Sequence, residues 1–425
     1  MNSTYNHDDV TDMTQNWERN LSTKNVAPDV LATMNSTYNR DDVTDMTQIW
    51  ERNLSTNTAV PEGCIVVQMN AGDFIPWNNP DNIVSAEAEQ ISDTIVSKVT
   101  LHILFLFICA PTNIINMIVF VKHGLKERIN FCIFSLALID FLFLFQAFLL
   151  YLDSPVILLK NLLGYDTPSV SPIIVYLSQV NFHGLFGLLW ASHFMSAIIA
   201  CERCYCVVSP LRAQNVMKTR TTAMIVAIVC PVITGGFFFC STKWASRCIY
   251  DPVLNTTSQE FYPLDFYLEN TEFVDLLQGY VYGLGMPLLF MLVVVVTTIV
   301  TIVKLRRMAS WREQTSSATS VSSRDLALTR MLVGTSILFI VCSLPDLVHN
   351  ATFLIIPELN AGGRYQNFHY MLYSISMFFN YVNSSCNFFV YYRFGSKFRE
   401  TVHSVFRTCS ITNRKTENEV SSLVK

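Results

Sequence analysis

FCIFSLALIDFLFLFQAFLL, residues 131–150, is a run of twenty residues in which Asp140 is the only charged side chain. A helix of about 20 apolar residues is long enough to cross the ~30 Å hydrocarbon core of a bilayer. Apolar runs of this kind predict seven membrane spans, near 99–121, 130–152, 172–201, 222–241, 276–303, 326–349 and 366–392. We therefore predict an all-α, seven-transmembrane helix bundle.

The charges of the loops predict the orientation of these spans. The chain has 425 residues, of which 51% are hydrophobic and 15% charged, whereas soluble domains carry about 25% charged residues. Lys and Arg concentrate after spans one, three, five and seven, and acidic residues concentrate in the N-terminal tail and before span five. The positive-inside rule then predicts a multi-pass plasma-membrane protein with its N-terminus outside. The net charge of −4 averages two opposite faces, and we expect no nucleic-acid partner.

Four segments follow from this pattern. Residues 1–98 are predicted to be an extracellular, largely disordered tail, in which Met1–Thr23 is nearly repeated at Met34–Thr56. The repeat is either a duplication or the result of an upstream start, with Met34 as the older one. Residues 99–392 form the membrane domain, 393–409 an amphipathic eighth helix on the inner leaflet, and 410–425 a cytoplasmic tail. Sequons predict glycosylation at Asn2, Asn20, Asn35, Asn53 and Asn255. Cys409 is placed to carry a palmitoyl chain.

Polar residues inside the spans predict a buried network around Asp140. A carboxylate in hydrocarbon is costly, so such a residue usually has partners and a function. The candidate partners are Asn113, Ser192, Asn383, Ser384 and Asn387. Such a shell of oxygens suits a Na⁺ ion or a proton. The same residues also fit a plain interhelical hydrogen-bond network.

A second group of residues predicts a latch between spans three and six. Arg203 follows Glu202 at the end of span three, and Asp325 lies at the start of span six. An Arg in a partly dry crevice needs a carboxylate partner, although a span-end Arg can also extend to the interface as a simple anchor. Proline inside a span favours a kink. The predicted hinge residues are Pro287, Phe339 and Pro345.

These motifs, taken in order, resemble those of the rhodopsin-like (class A) G-protein-coupled receptors over roughly Val99–Cys409. The matching positions are Asn113, Asp140, Ser192, Glu202-Arg203-Cys204, Pro210, Pro287, Asp325, Phe339-x-x-Cys342-x-x-Pro345, Asn387, Tyr391 and Phe398-Arg399. The resemblance implies an allosteric sodium site at Asp140 and a coupling face that includes Glu202, Arg203 and Tyr391. It also implies a heterotrimeric G protein as partner, together with arrestin, a receptor kinase and membrane lipid.

Several positions depart from the family pattern. Ser178 replaces the span-three Cys that normally bonds the second outer loop, so Cys64 is a candidate replacement partner for Cys248. Ser343 replaces the span-six Trp, Phe388 replaces the span-seven Pro, and His193 replaces an Ile. Tyr381 replaces the retinal-binding Lys of opsins and Leu185 the Asp of amine receptors. The deep pocket is therefore predicted to lack a charged anchor.

The predicted function is that of a receptor for an extracellular ligand. The sequences of residues 112–130 and 383–400 resemble those of invertebrate neuropeptide and chemosensory-type receptors, so the ligand is predicted to be a neuropeptide or a chemosensory cue. The acidic loop before span five favours a basic or amidated peptide through electrostatic steering. A seven-helix transporter or channel is the alternative. No nucleophile–base pair or metal cluster stands out, so we predict no enzymatic activity and no cofactor beyond the Na⁺ ion.

Overall fold

The computed structural model describes residues 64–66, 83–150, 172–209, 218–240, 244–251, 256–314, 323–359 and 364–407. The repeated segment, the five sequons and Cys409 lie outside these residues. The side chains of Ser178, Leu185 and Asp325 also lie outside the described part.

Eight helices, labelled α1 to α8, organise the described chain. α1 comprises five consecutive segments, Ala86–Ile91, Ser92–Val99, Thr100–Leu104, Phe105–Cys109 and Ala110–His123. The next helices are α2 (Arg128–Leu150), α3 (Pro172–Val208) and α4 (Thr219–Cys240). α5 joins a π-helical segment, Leu276–Gly285, to Met286–Gln314. α6 is Ser323–Ile355, α7 is Gln366–Phe394, and α8 is 396–407. α1, α2, α4, α5 and α6 are long and apolar enough to cross a membrane, and α3 and α7 pack among them to complete the seven.

The helices extend beyond the apolar runs that predicted them. α1 begins at Ala86 rather than near residue 99, because Ser85 caps it by accepting a hydrogen bond from the Ala88 amide over 3.2 Å. Asn367 Nδ2 at the start of α7 donates to the Val84 carbonyl over 2.9 Å, which holds the beginning of α1 against α7. Hydropathy therefore located the membrane-crossing part of each helix but not its ends.

A small sheet joins the described helices at one end of the bundle. The hairpin of β2 (Trp244–Asp251) and β3 (Thr256–Pro263) connects α4 to α5, and β1 (Cys64–Val66) pairs in parallel with β2. The sequence analysis did not predict these strands. We call this end of the bundle the sheet end and the opposite one the α8 end.

Close packing fixes α3 against α4. A Cβ atom on Gly187 of α3 would lie 2.7 Å from the Thr234 Cα of α4, so glycine is required for this approach. At the α8 end, Phe398 and Val402 are buried in the core that includes Tyr391, while Phe406 is 56% exposed. The predicted eighth helix thus forms, with one apolar face packed on the bundle.

The sheet register supports the Cys64–Cys248 disulfide, which we propose. Cys64 is the register partner of Cys248. Paired strands lie about 4.8 Å apart, and this spacing falls within the range of about 4.4–6.8 Å between the Cα atoms of a disulfide.

Proteolytic digestion without reductant should yield a linked peptide that contains Cys64 and Cys248, as measured by mass spectrometry. Cys64→Ser and Cys248→Ser should each remove that species, because the two thiols serve one bond. Recovery of both cysteines as alkylated free thiols from the unreduced protein would refute the proposal.

Candidate functional site

Asp140 lies at the junction of α2, α3 and α7. Its side chain is 0% exposed. Ser192 Oγ donates to Asp140 Oδ1 over 2.6 Å, and Asn387 Nδ2 donates to Oδ2 over 3.2 Å. The structure therefore brings together three of the residues that the sequence grouped.

The other members of the predicted network take different positions. Ser384 lies within hydrogen-bonding reach of Asp140, yet its buried Oγ makes no hydrogen bond of normal geometry in the described part of the chain. Asn113 Nδ2 donates to the Ser384 carbonyl over 3.0 Å and so ties α1 to the backbone of α7. Asn383 is buried and is not among the described partners of Asp140.

Glu202 is the centre of an ion-pair cluster at the α8 end. Its side chain is 2% exposed, and Arg128 Nε at the start of α2 lies 2.6 Å from Oε1. Arg203 Nη2 lies 3.5 Å from the same oxygen. Sequence analysis did not predict the role of Arg128. In the sequence it is one of several basic residues after span one, and nothing there distinguishes it from the others. The predicted Arg203–Asp325 latch stays a prediction, since the Asp325 side chain is outside the described part.

An aromatic contact links the predicted hinge residue Phe339 to α3. The His193 and Phe339 rings meet edge to face, with 5.0 Å between centroids, and Trp190 packs on His193 at 5.3 Å. His193 Nε2 and Ser343 Oγ are buried and make no described hydrogen bond. His193 and Ser343 stand at the sequence positions where the family pattern has an Ile and a Trp. The hinge role of Pro287, Phe339 and Pro345 stays a prediction.

Tyr391 is buried in an aromatic cluster at the α8 end. Its ring centroid lies 5.7 Å from that of Phe120 on α1 and 5.7 Å from that of Phe398 on α8. Phe388, which stands in place of the family proline, also packs on Phe398, at 5.8 Å. The residue predicted to serve coupling is therefore held within the packed core in this conformation.

The prediction that the deep pocket lacks an obvious charged anchor stays a prediction, but α6 carries a buried carboxylate that the sequence analysis did not single out. Asp346 follows Pro345 in α6, and its side chain is 4% exposed. One turn further, His349 Nε2 lies 3.3 Å from Nδ1 of His369 on α7. The rule that singled out Asp140, a charged residue within an apolar span, applies equally to Asp346 and would have found it.

Replacing Arg128 with Met should lower the Tm of the purified protein. Glu202 would remain buried with one weaker partner, and breaking a largely buried ion pair costs on the order of 2–3 kcal/mol. Lys126→Met, which removes an exposed cation from the same loop, is the matched control and should change the Tm little. Adding Glu202→Gln to Arg128→Met should recover part of the loss, because the unpaired charge is then gone. If the Tm decreases caused by Arg128→Met and by Glu202→Gln alone simply add in the double variant, the ion pair between Arg128 and Glu202 is contradicted.

Comparison with known proteins identifies the family. The model of the family "7 transmembrane receptor (rhodopsin family)" matches residues 112–391, which is more than half of the 425-residue chain. The chain is also similar to the probable G-protein coupled receptor frpr-1 of Caenorhabditis elegans, with 23% identity over 304 residues. That alignment covers 69% of this chain and 75% of the relative. These matches favour a receptor over the transporter or channel alternative and over an enzyme. The chain belongs to the rhodopsin family of seven-transmembrane, G-protein-coupled receptors.

Proposed function

We propose that this receptor responds to a positively charged extracellular peptide at the plasma membrane, with its sheet end outside the cell. The acidic surface of the sheet end is the observation that carries the proposal. Its exposed acidic side chains include Glu87, Asp265, Glu269, Glu272 and Asp275. A surface of one sign attracts ligands of the opposite sign and raises their association rate.

The charges at the α8 end support this orientation. Exposed basic residues there include Lys122, Lys126, Lys218, Arg220, Lys304, Arg307, Arg393, Lys397 and Arg399. Lys and Arg are enriched on the cytoplasmic side of membrane proteins. The α8 end is then the face that engages the heterotrimeric G protein, and the ligand shifts the population of helix packings in favour of coupling.

The acidic loop is organised rather than a random set of charges. Tyr267 donates to both carboxylate oxygens of Asp275, at 3.2 and 3.1 Å, and joins the short helices Asp265–Glu269 and Thr271–Asp275. Burial, and then the Asp275 charge, raise the pKa of Tyr267 to about 12. The phenol therefore remains a hydrogen-bond donor at physiological pH, and the position of the Asp275 carboxylate is fixed.

Basic amidated peptides should activate the receptor in reporter cells that read calcium and cAMP together. Analogues in which each Arg or Lys is replaced by a neutral residue should be at least about tenfold weaker, because steering and pairing both depend on the charge. Untransfected cells provide the control. A response to small odorants without any response to peptides would favour a chemosensory receptor and contradict the proposal.

We also propose that Na⁺ binds beside Asp140. The groups that could coordinate the ion are oxygens, which hard cations prefer as ligands. They are the Asp140 carboxylate, the Ser192 hydroxyl and the Ser384 hydroxyl, which makes no hydrogen bond of normal geometry within the described residues. A bound cation would neutralise the carboxylate and complete the coordination of Ser384. In this state it would strengthen the contact between α2, α3 and α7.

The Tm of the purified receptor should be higher in NaCl than in choline chloride of the same ionic strength. A ligand that binds only the folded state increases the free energy of unfolding, and the increase grows with the logarithm of the ligand concentration divided by Kd. Asp140→Asn should remove the difference between the two salts, because the amide carries no charge. Equal melting temperatures for the unmodified receptor in both salts would count against a sodium site.

A further inference from the structure

A third buried carboxylate, Asp346 of α6, lies beside α7, and the proposed sodium and coupling sites do not use it. Nine residues separate it from Ile355, the last residue of α6, which corresponds to about 14 Å along the helix. Its neighbours Leu344 and Val348 are more than half exposed on the outer face of the bundle. Asp346 itself is 4% exposed, so its side chain is enclosed within the bundle.

The described surroundings of Asp346 offer it neutral partners and no ion pair. The neutral side chains of Asn350 and Asn380 lie within hydrogen-bonding reach of Asp346, yet Oδ2 makes no hydrogen bond of normal geometry within the described residues. The described ion pairs involve Glu202 and not Asp346. The described partners of Asp140 are also neutral, but they donate to both of its oxygens. A buried carboxylate normally has partners for both oxygens, so Asp346 lacks one.

Other polar atoms without partners belong to the same region. Both amide atoms of Asn380 are fully buried without a hydrogen bond of normal geometry, and the same holds for Ser343 Oγ and His349 Nδ1. Ser343 and His349 each lie three residues from Asp346 on α6, and so share its face. Unpaired buried groups of this number are unusual in a folded core. They are the expected lining of a polar site that a ligand completes.

We propose that Asp346, assisted by Asn380, accepts a cationic guanidinium group of the activating ligand. This inference rests on the proposed function, and it specifies where the charge of the peptide is read. A guanidinium offers five N–H donors in a planar fork. These can donate to Asp346 Oδ2 and to the side-chain oxygen Oδ1 of Asn380 at the same time. A guanidinium also carries the positive charge that pairs with an ionised carboxylate, whereas a neutral ligand or a water molecule carries none.

The site is placed to connect binding with the predicted hinge. Asp346 adjoins Pro345, whose carbonyl oxygen accepts a hydrogen bond from Ser376 Oγ of α7 over 3.3 Å. A cation held between Asp346 on α6 and Asn380 on α7 bridges these helices directly beside that contact. Ligand binding then changes the packing of α6 against α7 at the proline.

The first test uses the purified full-length receptor with arginine amide and with citrulline amide, a neutral analogue of similar shape. Arginine amide should raise the Tm in a concentration-dependent manner, and citrulline amide should not. Asp346→Asn should weaken the apparent affinity for arginine amide by about ten- to a hundredfold, as expected for a charge-assisted hydrogen bond. Glu358→Gln, which neutralises an exposed acid at the sheet end, is the matched control and should retain the response.

The second test measures a basic peptide agonist from the reporter screen. Its potency should fall about ten- to a hundredfold on Asp346→Asn, whereas its charge-neutral analogue should be equally weak on both receptors. Unchanged potency on Asp346→Asn overturns the site but leaves the proposed function standing. Stabilisation by arginine amide that depends on Asp346, without activation by any basic peptide, overturns the proposed function but leaves the site standing. If Asp346→Asn does not fold, equal effects of arginine amide and citrulline amide on the unmodified receptor overturn the site.

Discussion

Asp140 joins three helices because Ser192 of α3 and Asn387 of α7 both donate to its carboxylate. The acid is fully buried, and a carboxylate that has lost its water is tolerated only when such donors surround it. α1 is attached indirectly, through the bond from Asn113 to the Ser384 carbonyl. Three helices therefore meet at one buried acid, and α1 is attached to the part of α7 that lies beside it.

The two carboxylates in the bundle and Glu202 at the α8 end illustrate three ways to place an acid out of water. Neutral donors from its own chain contact both oxygens of Asp140. The cations Arg128 and Arg203 both lie at Oε1 of Glu202, whose Oε2 makes no described hydrogen bond. Asp346 has neutral neighbours and an oxygen without a described partner. The neutral donors around Asp140 suit the binding of a small ion, and the ion pairs of Glu202 suit a reversible contact between helices. The oxygen of Asp346 without a described partner suits the binding of an incoming cation.

The helical spans could be predicted from the sequence, because an apolar run, or a polar residue within one, is visible in a short stretch of the chain. Ser192 and Asn387 were grouped with Asp140 through motif spacing, and the structure places them in contact with it. Arg128 escaped, because its pairing with Glu202 depends on how α2 crosses α3, which no spacing within either helix reveals. The parallel pairing of β1 with β2 escaped for the same reason, since it joins segments about 180 residues apart in sequence. Helix ends were misplaced where a polar cap such as Ser85 extends a helix beyond its apolar part.

The π-helical segment Leu276–Gly285 at the beginning of α5 has a practical consequence for comparisons with relatives. Bonds from residue i to i+5 place more residues in each turn than an α-helix holds. Counting backwards from Pro287 with α-helical periodicity therefore assigns residues such as Tyr280 and Gln278 to the wrong side of the helix. Mutagenesis plans and ligand docking that transfer positions from an unbroken fifth helix should realign this segment from the coordinates.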